Sequence, residues 1–451
     1  MRTLFPLIVL VGCASGLSKL RAPPEELADP VDPACEWAVD EADLPPEPGA
    51  EVDCKDQRRR LMTRRAVSGI FSDFGGQDSA VRLLFLGDAG VRQPGNEAAV
   101  GDGPLAVHDH AVRVCGGECD GVVLLGDNIY QHGINEAVDS AFLRNFAEMW
   151  SDVGPQYYVP GNHDWGTFPI VKPPHLDRVQ RELGELRRLA AQGLDVRGDS
   201  HFWATTVGEG RLVGLDTNYL VRACRPGDED GVRCAGDARR RDEGLVRFHT
   251  LIEGLTAPGT GPTMVVGHHP WLSHGEHGQA GDYWDYNLLG VKIGQGPKDG
   301  AALRRVLDEV VGPHAALYLS GHDHNTQVAR VDPGTLAVVV GAGGKVTGPG
   351  KDTADGEARA LAEIESESFC DLGFALVTVQ QATVELQIHT LPAPTASQKD
   401  AERVEECLKH REKRRPGESW AQAPTCTRWT WAQEDGTRGT WSEPGPCPVL
   451  E

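Results

Sequence analysis

The chain predicts an α/β (α+β) fold, a two-sheet sandwich flanked by helices, and three observations predict it. Short apolar runs of strand length recur and stop at or near a glycine: residues 81–86, 122–125, 157–159, 263–266, 315–319 and 336–340. Stretches with helical spacing lie between them, at 105–114, 138–150, 175–191, 244–255 and 301–311. The strands fall into two groups with helices around each, the arrangement of a layered sandwich.

Each element has its own reason. In 138–150, Val138, Phe142, Phe146, Met149 and Trp150 share one helical face, a core stripe. In 175–191 the stripe is Leu176, Val179, Leu183, Leu186 and Leu189. Two further strands are expected at 201–207 and 211–215, and a closing hairpin at 373–379 and 382–389. The stretch 222–241 is polar and reads as a surface insertion. The loop 273–298 carries Tyr283, Trp284 and Tyr286 and is expected to cover the mouth of a site.

The chemistry lies in the residues just after the apolar runs. The first three runs lead into Leu86-Gly87-Asp88-Ala89-Gly90, Leu125-Gly126-Asp127-Asn128-Ile129-Tyr130 and Pro160-Gly161-Asn162-His163-Asp164. Side chains just past parallel strand ends sit at the sheet rim, where such sheets bind ligands. Asp88, Asp127, Tyr130 and Asn162 offer oxygen there. Two later runs lead into Gly267-His268-His269-Pro270 and Ser320-Gly321-His322-Asp323-His324, which add imidazoles. A mixed oxygen and nitrogen set suits transition metals rather than calcium or magnesium. Asp88, Asp127, Tyr130, Asn162, His268, His322 and His324 are seven donors, too many for one tetrahedral site. They fit two ions if Asp127 bridges.

These five islands, in this order, resemble the calcineurin-like metallophosphoesterases, and more narrowly the purple acid phosphatases of the tartrate-resistant acid phosphatase type, here in a bacterial lipoprotein-like context. The resemblance covers roughly residues 81–392 and implies a four-layer αββα fold. It implies a phosphatase that hydrolyses phosphate monoesters by attack of a hydroxide bound to a dinuclear metal centre. By resemblance, Asp88, Asp127, Tyr130 and His324 hold Fe(III), and Asp127, Asn162, His268 and His322 hold a divalent ion (Fe, Zn or Mn). Gly90 stands where many relatives carry a ligating histidine, and Tyr130 compensates as a phenolate suited to Fe(III). His163 and His277 are the implied catalytic histidines. Asp164 either orients His163 or caps its loop. His269 reads as supporting, His201 and His314 as structural, and His132 and His274 as near the site without an assigned role. A phosphodiesterase or nucleotide pyrophosphatase would use the same metals. A non-catalytic surface-binding lipoprotein is the competing class.

Composition narrows the partners. With 44 basic and 66 acidic residues the net charge is −22, which disfavours nucleic acid and anionic membrane faces. The substrate is expected to be a small phosphate ester or a phosphoprotein. Residues 1–12 read as a signal peptide, with Arg2 ahead of a short apolar stretch and Leu10-Val11-Gly12-Cys13 resembling a lipobox. That predicts export and a lipid anchor on Cys13, at the periplasm or cell surface of a bacterial envelope. Of 11 cysteines, ten remain after Cys13, an even number that suits disulfides. Neighbour pairs suggest Cys35–Cys54, Cys115–Cys119 and Cys224–Cys234, with Cys370, Cys407, Cys426 and Cys447 pairing among themselves.

The expected organisation is a signal peptide at 1–12, a Pro-rich acidic tether at 13–79, a catalytic domain at 80–392, and an extension at 393–451. The tether contains a basic cluster, Arg58-Arg59-Arg60 and Arg64-Arg65, read as solvated. The extension combines a charged helix at 399–415 with Trp420, Trp429, Trp431 and Trp441. Those tryptophans suit either a disulfide-pinned cap packed on the main domain or a small binding module.

Overall fold

The computed structural model describes residues 69–70, 80–166, 176–198, 201–222, 261–278, 287–288, 291–292, 301–349, 363–395, 398–414, 426–433 and 438–448. The signal and tether expectations, Cys13, Cys35, Cys54, Cys224, Cys234, the helix expected at 244–255, Trp420 and most of the loop 273–298 lie outside these residues.

In chain order, β1 is Gly69–Ile70, β2 Val81–Leu86, and a hairpin of β3 Arg92–Gln93 and β4 Asn96–Val100 leads to helix α1, Asp102–Cys115. Helix α1 starts earlier than expected because Pro104 falls in its first turn, where a missing N–H costs nothing. It ends on Gly116, whose left-handed backbone donates to the Val112 carbonyl. Then come β5 Gly121–Leu124, α2 Ala137–Trp150, β6 Gln156–Tyr158, α3 Leu176–Ala191 and β7 Val196–Arg197. After them come β8 Phe202–Val207, β9 Gly210–Leu215, α4 Thr217–Arg222, β10 Thr263–Val266, and the hairpin β11 Asn287–Leu288 with β12 Val291–Lys292. Helix α5, Ala301–Val306, runs into a wider π turn over Leu307–Val311. The last elements are β13 Ala315–Ser320, β14 Thr326–Asp332, β15 Thr335–Val340, β16 Glu363–Ser368, β17 Asp371–Gln380, β18 Thr383–Pro392, α6 Gln398–Arg414, β19 Cys426–Ala432, β20 Thr440–Trp441 and β21 Gly445–Pro446.

Two large sheets result. One is ordered β20-β19-β18-β17-β2-β5-β6-β7, with β21 on β19, and the other β1-β8-β9-β10-β13-β15-β14-β16. Strands β2, β5, β6 and β7 are parallel in the first, and β9, β10, β13 and β15 in the second. Alternation along each strand separates three cores. Leu83 and Phe85 of β2, with Val123 of β5, face Met264, Val266, Leu317, Leu319 and Val338 of the other sheet. Leu84, Leu86, Val122 and Leu124 point the other way, onto Val107, Phe142, Phe146, Val179 and Leu183 of α1 to α3. Val265, Tyr318 and Ala337 pack on Leu303 and Val306 of α5. The layers are therefore helix, sheet, sheet, helix. Strands buried on both faces read as continuous apolar runs, which is why the sequence exposes them.

The tail past residue 392 continues the first sheet. Strand β19 pairs antiparallel with β18 along Ala432↔Thr383 to Cys426↔His389. Trp429, Trp431 and Trp441 are buried between the sheets, so they complete the core and present no binding face. Disulfides join Cys115–Cys119, Cys370–Cys407 and Cys426–Cys447. Cys370–Cys407 ties α6 to the turn before β17. His389 lies with Cys426 and Cys447, but both sulfurs are committed to their disulfide. No helix among the described residues is long and apolar enough to cross a membrane.

Candidate metal centre

The carboxyl ends of β2, β5, β6, β10 and β13 open on one edge of the sandwich, and the five islands meet there. Glycine permits the meeting: a Cβ on Gly161 would overlap the Asp127 carboxylate. Gly90 is equally constrained, since a Cβ there would overlap the Asn128 backbone. A histidine cannot occupy that position here, and Tyr130 reaches in instead. Asp88, Asp127 and His322 take left-handed backbone at φ 60°, 54° and 71°, which turns each side chain back over its strand end.

The seven donors form two groups. In the first, the Tyr130 hydroxyl lies 2.7 Å from Asp88 Oδ1, 2.8 Å from Asp127 Oδ2 and 3.4 Å from His324 Nε2. In the second, Asn162 Oδ1 is 2.9 Å from both His268 Nε2 and His322 Nδ1, and Asp127 Oδ1 is 3.3 Å from His268 Nε2. Asp127 thus turns one oxygen to each group. Its Oδ1 also accepts the His163 amide at 2.8 Å, and Asp88 Oδ2 accepts the His322 amide at 2.6 Å.

The donor set itself fits metal ions. His268 Nδ1 faces the Leu125 carbonyl at 2.9 Å, so Nδ1 carries a proton. Nε2 is then the nitrogen turned toward the oxygens of Asn162 and Asp127. Tyr130 has one proton for two carboxylates. Lone pairs turned on one another at such distances repel, and a cation bonded to nitrogen and oxygen at about 2.1 Å relieves them.

Electrostatics agree. Burial pushes Asp88 up to about 7, with Asp127 adding to the shift and His268 and Lys345 opposing it. Burial would also raise Asp127, but the fields of His268, His163 and Lys345 outweigh it and hold the carboxylate below its usual range. Burial, then the neighbouring imidazoles and, for His324, Lys345, keep His322 and His324 far below the ordinary imidazole value. Both are therefore neutral, as ligands must be. Burial and the two carboxylates push Tyr130 well up, so a phenolate needs a multivalent cation beside it.

The implied catalytic histidines border the cluster. His163 Nδ1 lies 2.7 Å from the Gln131 carbonyl and Nε2 lies 3.8 Å from Asp127 Oδ2; the side chain is 24% exposed. Burial pulls it down to about 4. His277 has its ring 4.8 Å from that of His322. Its amide donates to Asp323 Oδ1 at 2.8 Å, and Ser273 donates to Asp323 Oδ2. Asp164 caps the loops rather than orienting His163: its carboxylate accepts the amides of Gly161, Asn128 and Ile129. Thr217 Oγ1 accepts the amides of His268 and His269, fixing that turn. His201 is buried against Asp216 at 2.6 Å. His274 pairs with Glu367 at 3.4 Å.

Three supporting residues escape the sequence reading: Asp323, Thr217 and Lys345. Lys345 is the informative one, since its Nζ stands 3.4 Å from the centre of the Tyr130 ring. Burial lowers it to about 8. It comes directly after Val340-Gly341-Ala342-Gly343-Gly344, a buried strand ending in glycine like the other five, and that pattern could have found it.

A sandwich whose one edge gathers imidazoles, carboxylates, an amide and a phenol defines an αββα protein with a candidate metal site. Residues 70–326 match the Calcineurin-like phosphoesterase family, and the chain belongs to that family. It is similar to tartrate-resistant acid phosphatase type 5 of Mus musculus, at 26% identity over 236 residues, 50% of this chain and 61% of that protein. It is likewise similar to tartrate-resistant acid phosphatase type 5 of Homo sapiens, at 28% over 233 residues, with the same two coverages of 50% and 61%. The chain thus spans about three fifths of the length of these curated relatives. A solved purple acid phosphatase, PPD1 from yellow lupin (Lupinus luteus) seeds, aligns with a TM-score of 0.43 at 16% identity, over 70% of this chain and 52% of that one.

Proposed function

We propose that the chain is a phosphatase acting on phosphate monoesters, of the purple acid phosphatase type. The observation that carries the reading is the division of seven donors into two groups that share Asp127, one oxygen to each. Tyr130, in the group with two carboxylates, favours Fe(III) there, and the imidazole-rich group favours a divalent Fe, Zn or Mn ion. When bound, such a pair supplies Lewis acidity and an activated water for attack on phosphorus.

The chain's own residues do the rest. Asp88 and Asp127 provide the negative charge that holds the ions. His163 donates from Nδ1 to the Gln131 carbonyl, which leaves Nε2 toward the site to pass a proton to the departing oxygen. Burial pulls the ring down to about 4 in the metal-free site, so a proton held there is readily given up. His277, held through Asp323, binds a phosphoryl oxygen.

Turnover of an aryl phosphate monoester and of the matching diester, measured across pH on metal-loaded protein, tests the reading. Faster monoester turnover at acid pH is expected. Diester preference would make the chain a phosphodiesterase, and no turnover with full metal content would make it a binding protein. Export with a lipid on Cys13 belongs to the same reading, supported by three disulfides that suit an oxidising compartment. Palmitate labelling lost in Cys13→Ser checks it.

A further inference from the structure

We propose that Lys345 is a further substrate-binding residue, whose ammonium takes a phosphoryl oxygen on the Tyr130 side and favours monoester dianions over diester monoanions. The proposal rests on the phosphatase reading above and deepens it. A sixth strand end, that of β15, contributes this loop to the same edge. The loop is fastened on both sides of Lys345. The Gly343 amide donates to the Gly87 carbonyl at 3.0 Å, and the Thr347 amide donates to the His324 carbonyl at 2.9 Å. Lys345 is therefore held between the Asp88 and His324 loops.

Its Nζ is unspent. Among the described residues the ammonium has no hydrogen-bond acceptor: it lies on the Tyr130 ring face, 3.4 Å from its centre, and feels the charges of Asp88 and Asp127 only through space. A half-buried ammonium with three donors and no acceptor is costly, and a ring face offsets only part of that. Its charge bears on Asp88, Asp127, His163 and His324, which all belong to the same cluster. An incoming oxyanion supplies the missing acceptor. The net charge of −22 makes a local cation more valuable, because the molecule as a whole repels phosphate. The loop also has a backing: a Cβ on Gly348 would come within 3.0 Å of His410 Cβ and 3.3 Å of the Cys407 carbonyl of α6, the helix tied down by Cys370–Cys407.

The test is calorimetric titration of metal-loaded wild type, Lys345→Met and Lys345→Arg with inorganic phosphate, with metal content measured in parallel. A hydrogen bond to a charged group predicts phosphate affinity at least about tenfold weaker in Lys345→Met, with metal content unchanged. Lys345→Arg should recover most of the affinity. In Lys345→Met, KM for a monoester should rise more than kcat falls, and KM for a diester should stay level. Unchanged phosphate affinity in Lys345→Met, or loss of metal from it, overturns the role of Lys345 while leaving the phosphatase reading standing. A wild type that binds neither metal nor phosphate overturns both.

Discussion

At the site edge, Asp88, Asp127 and His322 hold left-handed backbone, and carboxylates, imidazoles and a phenol crowd together out of water. At the far side of the first sheet, β19 lays Trp429 and Trp431, and β20 lays Trp441, into the core between the sheets. Trp429 Nε1 donates to Glu365 Oε2 at 2.7 Å, and Trp441 Nε1 donates to the Ala316 carbonyl at 2.8 Å, so the tail fastens one sheet to the other. Each strained non-glycine residue costs about 1–3 kcal/mol, and clustered buried charge adds to that. Burying a large aromatic works in the opposite direction. The contrast teaches a division of labour within the sandwich: the edge gathers candidate ligands at a cost in stability, and the tail contributes stability away from that edge.

The sharpest way to break this division is Asp127→Ala, the residue common to both donor groups. Losing it should remove bound metal and lower kcat/KM by about 10⁴-fold, equivalent to about 5 kcal/mol. The metal-free stability should stay level or rise. A variant that kept its metals would refute the bridging role. Next is Trp429→Ala, expected to cost about 3–5 kcal/mol of stability in urea unfolding, with kcat per folded molecule unchanged. If kcat fell while stability held, the tail would belong to the site after all. His163→Ala should lower kcat by about 10²-fold with metal content intact. Equal turnover in the variant would remove His163 as the proton donor.

The smallest effect is a pH dependence. Burial raises Asp88 from 3.8 to about 7. The unfolded chain releases this proton near 3.8, so between about pH 4 and 7 the folded, metal-free protein holds a proton that the unfolded one has lost. Raising pH through that window therefore removes stability. Asp88→Asn has no such proton. Its stability advantage over wild type, both freed of metal, should widen from about pH 4 to about pH 7 and then level off. A constant gap in thermal unfolding would contradict the buried-carboxyl account.

The two regions also differ in how far their sequences announce them. The edge is legible because chemistry and sterics leave few choices. A ligand must come after a buried strand, and the residue before Asp88, Asp127, Asn162, His268 and His322 is glycine in every case, where the loops come close. Lys345 escapes because a lysine after a glycine run looks like a solvated charge at a turn. The tail hides for another reason. Trp429 and Trp431 alternate with Arg428 and Thr430, a strand signal, but nothing local says that β18 is the partner. Strand β16 reads Glu-Ile-Glu-Ser-Glu-Ser, a charged edge strand with little apolar signature. The split of 301–311 into an α-helix and a π turn is likewise not encoded in the sequence period.

Metal analysis of the purified protein with its visible absorption spectrum tests the central claim most directly. Two ions per chain are predicted, with a phenolate-to-iron band that vanishes in Tyr130→Phe. One ion or none per chain, or a band that survives in Tyr130→Phe, would contradict it.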